Sequence, residues 1–211
     1  FLLSKYEREI KNYEKEFNYL LKAHLYYFEL KKEKFDTNVD DWLDVLPKKR
    51  KLININKSNN NVKKISAKIK PIFIIGVPRC GSTLVEKIIA SGKKLIPLGE
   101  ETSVLENFFN EKILQKQSLN LGDVATIRNE LYNIYKQKGL ILKKCNYTFT
   151  DKSLNNFFYL GLIKEIYPNA IIINCKRDIL SSIMSIFQNN LTELAWTHNL
   201  ENIFKYFNNY F

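Results

Sequence analysis

The hydrophobic positions of this chain change their period twice. Over residues 1–34, Tyr6, Ile10, Tyr13, Phe17, Leu20, Leu21, Leu25 and Phe28 recur at three- and four-residue steps with Glu and Lys between them. That spacing predicts two amphipathic helices, divided by a weak break at Lys11-Asn12. Over residues 35–67 the pattern dissolves. Asp40-Asp41-Trp42 starts at most one short helix, and the basic run 47–51 and the polar run 57–61 read as a solvated linker that holds the domain boundary. Ile72-Phe73-Ile74-Ile75, between Pro71 and Gly76, is too short for a helix and rich in β-branched and aromatic side chains, so it predicts a buried parallel strand. Helical spacing resumes at Leu84, Val85, Ile88 and Ile89 and stops at Ser91-Gly92. Beyond an extended piece at 95–98, the pattern predicts helices over 104–115 and 125–137 and a strand over 140–142. A strand end at 147–149, a second buried strand over 170–175, a helix through Ile179, Ile183, Ile186 and Phe187, and one last helix over 195–211 follow. Strands alternating with helices predict a three-layer α/β domain with a parallel sheet over 68–211, preceded by the helical segment 1–34.

Composition narrows the partners. With 45% hydrophobic residues in 211 the chain has material for a real core, and no apolar run approaches the ~18–20 residues that span a bilayer. A net charge of +11 suits an anionic ligand, although a lysine-rich solvated surface is the better explanation of most of it. The basic residues are spread rather than gathered among aromatics, which argues against nucleic acid. Cys80, Cys145 and Cys175 are odd in number and lack paired or metal-ligand spacing, pointing to a reducing, cytoplasmic setting without a disulfide framework. His24 and His198 lack a metal partner in the sequence and read as hydrogen-bonded surface residues, so no metal is expected. The chain opens on Phe1 inside a helical pattern, and so reads as a piece of a longer protein.

Four stretches carry candidate chemistry. Strand, glycine loop and helix meet at 71–83, the context in which backbone N–H groups and a helix N-terminus converge on an anion. The spacing Gly76-x4-Gly81-Ser82-Thr83 approaches the nucleotide loop G-x-x-x-x-G-K-S/T, but Ser82 stands where the lysine belongs, and the cation is instead Arg79. An arginine fork suits phosphate or sulfate. Gly99-Glu100-Glu101-Thr102 precedes a helical run, where acids either cap the helix or, one turn beyond the anion loop, supply a general base. Thr150-Asp151-Lys152 lies at a strand-to-helix turn, where a lysine is either exposed or functional. Arg177 follows the second strand at the carboxyl rim where ligands gather in open α/β sheets, or simply pairs with Asp178.

Pro78-Arg79-Cys80-Gly81-Ser82-Thr83 resembles the P-R-S-G-T-T loop of sulfotransferases that use 3′-phosphoadenosine 5′-phosphosulfate. Residues 99–102 are similar to the G-E-E-T motif of tyrosylprotein sulfotransferases. The run from Thr150 through Ile163 resembles the T-D-K-x-x-x-N-F-x-x-x-G-L-I stretch of bacterial sulfotransferases that bear tetratricopeptide repeats, and residues 12–23 resemble part of such a repeat. The R-D-P-x-x-x-x-x-S motif corresponds to Arg177 and Ser185, with Ile179 in place of the proline and Asn189 where a further arginine is found in tyrosylprotein sulfotransferases. The resemblance implies that Arg79, Cys80, Gly81, Ser82 and Thr83 cradle the 5′-phosphosulfate and that Arg177 and Ser185 hold the 3′-phosphate. It implies Glu101 as base, with Glu100 behind it, and Lys152 as the cation that meets charge on the transferring group. Cys80, serine in relatives, is a spectator. The acceptor is a hydroxyl on a protein, peptide, glycan or small molecule. A nucleotide kinase or hydrolase with an altered loop, and a non-catalytic interaction module, are the competing readings.

Overall fold

A computed structural model describes residues 1–48, 54–56, 69–115, 120–142 and 147–211. The chain divides into two units, Phe1–Lys49 with Arg177–Phe211, and Arg50–Lys176.

The first unit opens with helices α1 (Leu2–Glu9), α2 (Tyr13–Leu30) and α3 (Lys32–Asp40), the last continuing into a π-helical turn over Asp41–Val45. Residues 35–48 are therefore helical where a linker was expected, because Phe35 and Leu43 find buried positions at 3% and 2% exposure. The rest of that linker, apart from residues 54–56, lies outside the described residues. Asn12 caps α2 by accepting from the Lys15 backbone N–H. The α1–α2 stripe does not face inward as its spacing suggested: Tyr6, Ile10, Tyr13 and Leu25 are each more than half exposed. Of the stripe Leu20 is fully buried, and the other inward positions are polar. Ser4, Glu7 and Glu16 are buried, and Arg8 Nε donates to Glu16 Oε1 at 2.6 Å.

The second unit is built on a parallel sheet. Strands β1 (Asn54–Asn56) and β3 (Asn120–Asp123) pair separately from β2 (Ile72–Ile75), which is flanked by β4 (Thr150–Lys152) and β5 (Ile171–Asn174) in the order β4-β2-β5. Ile72 lies opposite Thr150 on one side and Ile171 on the other. Among the described residues four helices accompany these strands: α4 (Ser82–Ala90), α5 (Val104–Gln115), α6 (Val124–Gln137) and α7 (Leu160–Ile166), with a 3₁₀ segment at Leu154–Tyr159. The central strand is fully buried, and Phe73, Phe109, Ile127, Leu131, Tyr135, Phe149 and Ile163 form the core around it. Arg128, buried on α6, donates its Nε to the Ile166 carbonyl at the end of α7, which satisfies one of the orphan acceptors of that helix.

Two strand expectations need correction. Residues 140–142 form no strand: Gly139 takes φ +73° and the Leu140 N–H closes back on the Tyr135 carbonyl, so the apolar run packs as a helix terminus. The second strand is an edge, with Ile171 51% exposed.

The first unit resumes with α8 (Ile179–Phe187) and α9 (Leu200–Tyr210). The last helix is shorter than its pattern implied. Residues 195–198 form a 3₁₀ turn, and Asn199 then caps α9 by accepting from the N–H groups of Glu201 and Asn202. Trp196 stacks on Tyr206 at 3.9 Å between ring centroids. His24 and His198 are buried rather than on the surface, their Nδ1 atoms 2.9 Å apart. Among the described residues no helix is long and apolar enough to cross a membrane.

Candidate active site

The loop between β2 and α4 is shaped by backbone constraints. At Gly76 a Cβ would stand 2.5 Å from Cys80 Sγ and 2.9 Å from the Cys175 carbonyl oxygen, so the chain passes there only as glycine. Gly81 takes φ +95° and begins α4, whose first-turn N–H groups lack intrahelical acceptors. Arg79 holds φ +68°, a conformation that costs a non-glycine residue about 1–2 kcal/mol, and its side chain is exposed. Ser82 and Thr83 follow at the helix start. Cys80 is buried, and its thiol hydrogen-bonds to Cys175; burial pushes the Cys175 thiol upward, with Cys80 adding to it.

Residues 97–101 run parallel to β4 and extend the sheet by a short step. Thr150 N–H donates to the Pro97 carbonyl at 3.0 Å, Lys152 N–H to the Gly99 carbonyl at 3.0 Å, and Glu101 N–H to the Lys152 carbonyl at 2.7 Å. A side chain at position 99 would collide with the Thr150 carbonyl. Beyond it, Glu101 and Ser103 take φ +49° and +48°, so left-handed residues mark both the anion loop and the acidic turn. Such outliers persist only where their surroundings over-determine them.

Strand alternation places Thr150 and Lys152 on one face of β4 and Asp151 on the other. Lys152 Nζ donates to Glu101 Oε1 at 2.8 Å, Glu100 Oε1 at 3.1 Å and Thr83 Oγ1 at 3.1 Å. Thr83 in turn donates to Glu100 Oε1 at 3.1 Å. Both carboxylates meet the lysine. Burial pulls the Lys152 ammonium down, but the Glu101 and Glu100 carboxylates outweigh it and hold the pKa above that of ordinary lysine. The Lys152 hydrogen bond and charge, with Thr83 behind them, lower Glu100.

Buried donors and acceptors surround this cluster, and two of them, Glu86 and Tyr135, were not singled out by the sequence. Glu86, one turn after Thr83 on α4, accepts from Thr150 Oγ1 at 2.5 Å, and Thr150 Oγ1 accepts from Gly99 N–H at 3.0 Å. On the opposite face Asp151 accepts from Tyr135 Oη at 2.5 Å and Asn156 Nδ2 at 2.8 Å. Burial pushes both Asp151 and Tyr135 upward. Ser153 Oγ donates to Asp151 and accepts from Ser103 N–H, which ties the far end of the acidic turn to β4. The alternating T-D-K pattern was the available signal, since it sends neighbouring polar side chains to opposite faces.

The structure thus brings Thr83, Glu100, Glu101 and Lys152 together. Arg177 and Ser185 belong to the helical unit, one before α8 and one within it. Asp178 caps α8 by accepting from Ser181 N–H at 2.8 Å, which lowers its carboxyl. Asn189 Nδ2 donates to the Ser185 carbonyl at 2.6 Å.

The model of the sulfotransferase family matches residues 71–209, from the central strand through the last helix. A protein of Aquifex aeolicus (strain VF5), described as an uncharacterized protein, is 28% identical over 204 residues, which cover 90% of this chain and 26% of that protein. The chain therefore spans about a quarter of that relative's length. No solved structure matches.

Proposed function

This chain belongs to the sulfotransferase family, and we propose that it transfers the sulfuryl group of 3′-phosphoadenosine 5′-phosphosulfate to an acceptor hydroxyl, with protein tyrosine among the candidate acceptors. One observation carries the reading: the Lys152 ammonium is within hydrogen-bonding distance of the start of the anion-loop helix at Thr83 and of both acids of the following turn. Three stretches that resembled separate family motifs meet at one cation.

Sulfuryl transfer asks for positioning and charge stabilisation rather than protein-borne covalent chemistry, as phosphoryl transfer does. The glycine-shaped loop fits an oxyanion group, because the first-turn N–H groups of α4 lack intrahelical acceptors there. Arg79, Cys80, Gly81, Ser82 and Thr83 take the 5′-phosphosulfate. Arg177 and Ser185 take the 3′-phosphate, the role that the resemblance gives them. Glu101, with its side chain 53% exposed, is open to an acceptor. It removes the hydroxyl proton as the acceptor oxygen bonds to sulfur, while the bond from sulfur to the bridging phosphate oxygen breaks. Lys152 faces the charge left on that oxygen.

Calorimetry with 3′,5′-bisphosphoadenosine, followed by ATP with magnesium, tests this. Binding of the first that is lost in Arg79→Ala and Arg177→Ala supports the reading. Magnesium-dependent ATP binding in its place selects a nucleotide kinase or hydrolase, and binding of neither selects a non-catalytic interaction module.

A further inference from the structure

We propose that Glu86 is a positioning residue for the Glu100–Glu101 turn, acting through the Thr150 hydroxyl on the Gly99 N–H. This rests on the sulfuryl-transfer reading for its kinetic consequence alone.

A threonine hydroxyl owns one hydrogen and two lone pairs, whereas a carboxylate only accepts. Glu86 Oε1 lies 2.5 Å from Thr150 Oγ1, so the hydroxyl hydrogen is committed to Glu86 and a lone pair is left for Gly99 N–H at 3.0 Å. A competing acceptor stands nearby, since the Pro97 carbonyl is 3.3 Å from the same hydroxyl. Without Glu86 the hydrogen turns to Pro97 and the lone pair swings away from Gly99.

Gly99 is the residue from which the turn takes its register. Its carbonyl accepts from Lys152 N–H, and Glu101 N–H reaches the Lys152 carbonyl. A shift at Gly99 is carried into the distances that hold both carboxylates at Lys152 Nζ. The far end of the turn is held independently, by Ser103 N–H on Ser153 Oγ. Glu86 thus fixes the near end.

Packing alone does not account for this residue. At 1% exposure Glu86 is a carboxyl in the interior, and its charge raises the buried Asp151. An apolar side chain at that point of α4 would avoid both costs. What a leucine cannot do is orient a hydroxyl.

Hydrogen exchange at the Gly99 amide, read by NMR in Glu86→Ala, Glu86→Gln, Thr150→Val and Thr150→Ser, tests the relay directly. Losing one buried hydrogen bond corresponds to about tenfold. We therefore expect Gly99 exchange about tenfold faster in Glu86→Ala and Thr150→Val, with Glu86→Gln and Thr150→Ser near wild type because each keeps an acceptor or a hydroxyl. The kinetic arm follows release of 3′,5′-bisphosphoadenosine from the phosphosulfate donor with tyrosine methyl ester as acceptor. Turnover falls about tenfold in Glu86→Ala and recovers in Glu86→Gln, while bisphosphoadenosine affinity stays within about twofold throughout. Wild-type exchange at Gly99 in Glu86→Ala overturns the proposal, as does a Glu86→Gln variant no better than Glu86→Ala. If Glu86→Ala does not fold, the Thr150→Val and Thr150→Ser pair decides. If the wild type binds no bisphosphoadenosine, the sulfuryl-transfer reading fails, and Gly99 exchange still decides the relay.

Discussion

The Lys152 ammonium lies 2.8 Å from Glu101 Oε1, with the lysine side chain 6% exposed and the glutamate 53% exposed. A buried cation beneath an accessible carboxylate leaves the proposed base open to an acceptor while the lysine stays covered. Glu101→Gln keeps the size of the side chain and removes its basicity. Its expected outcome is bisphosphoadenosine affinity within about twofold of wild type and turnover lower by about a hundredfold or more, the range of general-base contributions. Calorimetry and product release measure the two halves. A variant with full turnover removes Glu101 from the mechanism.

The same cluster sets a pH window. Lys152 is raised above 10.5 in the fold, so its contribution is fully present below 10.5 and is lost as pH climbs through the folded value. Glu100 is lowered from 4.5, so its contribution is present above 4.5 and is lost as pH falls through the folded value. The stability difference between wild type and Lys152→Met is expected to stay level between these limits and to shrink outside them. Denaturant titrations across pH measure it. A difference that varies steadily through neutral pH would contradict this coupling.

How far the sequence reached depended on which links were local. The strand Ile72–Ile75, the helix beginning at Ser82 and the helices beginning near Val104 and Val124 were legible from period and punctuation. The meeting of Thr83, Glu100, Glu101 and Lys152 was anticipated only as separate motifs, because pairing of β2 with β4 is a non-local event that period cannot encode. Glu86 escaped notice because it looks like any helical glutamate until the Thr150 hydroxyl is placed beside it. The α1–α2 stripe misled in the opposite way: spacing tells which residues share a face, not whether that face is covered. The run at 140–142 failed as a strand because Gly139, at φ +73°, diverts its N–H groups into a helix terminus.

Close approach at Gly99 makes its substitution costly. A Cβ there meets the Thr150 backbone, which has no flexible end to yield, so Gly99→Ala is expected to destabilise by roughly 1–3 kcal/mol. Gly161, near the start of α7, is the control. Nothing lies within 4 Å of its added Cβ, and Gly161→Ala is expected to be neutral or to stabilise by up to about 1 kcal/mol through helix propensity. Urea denaturation of the two variants compares them; equal effects would mean that the backbone beside β4 moves to accept a methyl group.

Acid sensitivity of the helical unit is expected to originate at the histidine pair. His24 Nε2 is 2.6 Å from the Phe187 carbonyl, which can only accept, so that nitrogen carries the hydrogen and Nδ1 is left to accept from His198. Burial lowers His24, and burial followed by the His24 charge lowers His198 to about 4. For groups lowered in the fold the unfolded chain binds more protons below 6.5, so stability falls as pH drops from 6.5 toward 4. The lowering of His198 from 6.5 to about 4 corresponds to roughly 3 kcal/mol once pH is below its folded value. In His198→Phe that loss disappears, leaving a shallower acid limb whatever the change in stability at neutral pH. Thermal unfolding between pH 4 and 7, followed by the near-ultraviolet signal of Trp42 and Trp196, reports on this unit. Parallel acid limbs in wild type and variant would place the sensitivity elsewhere.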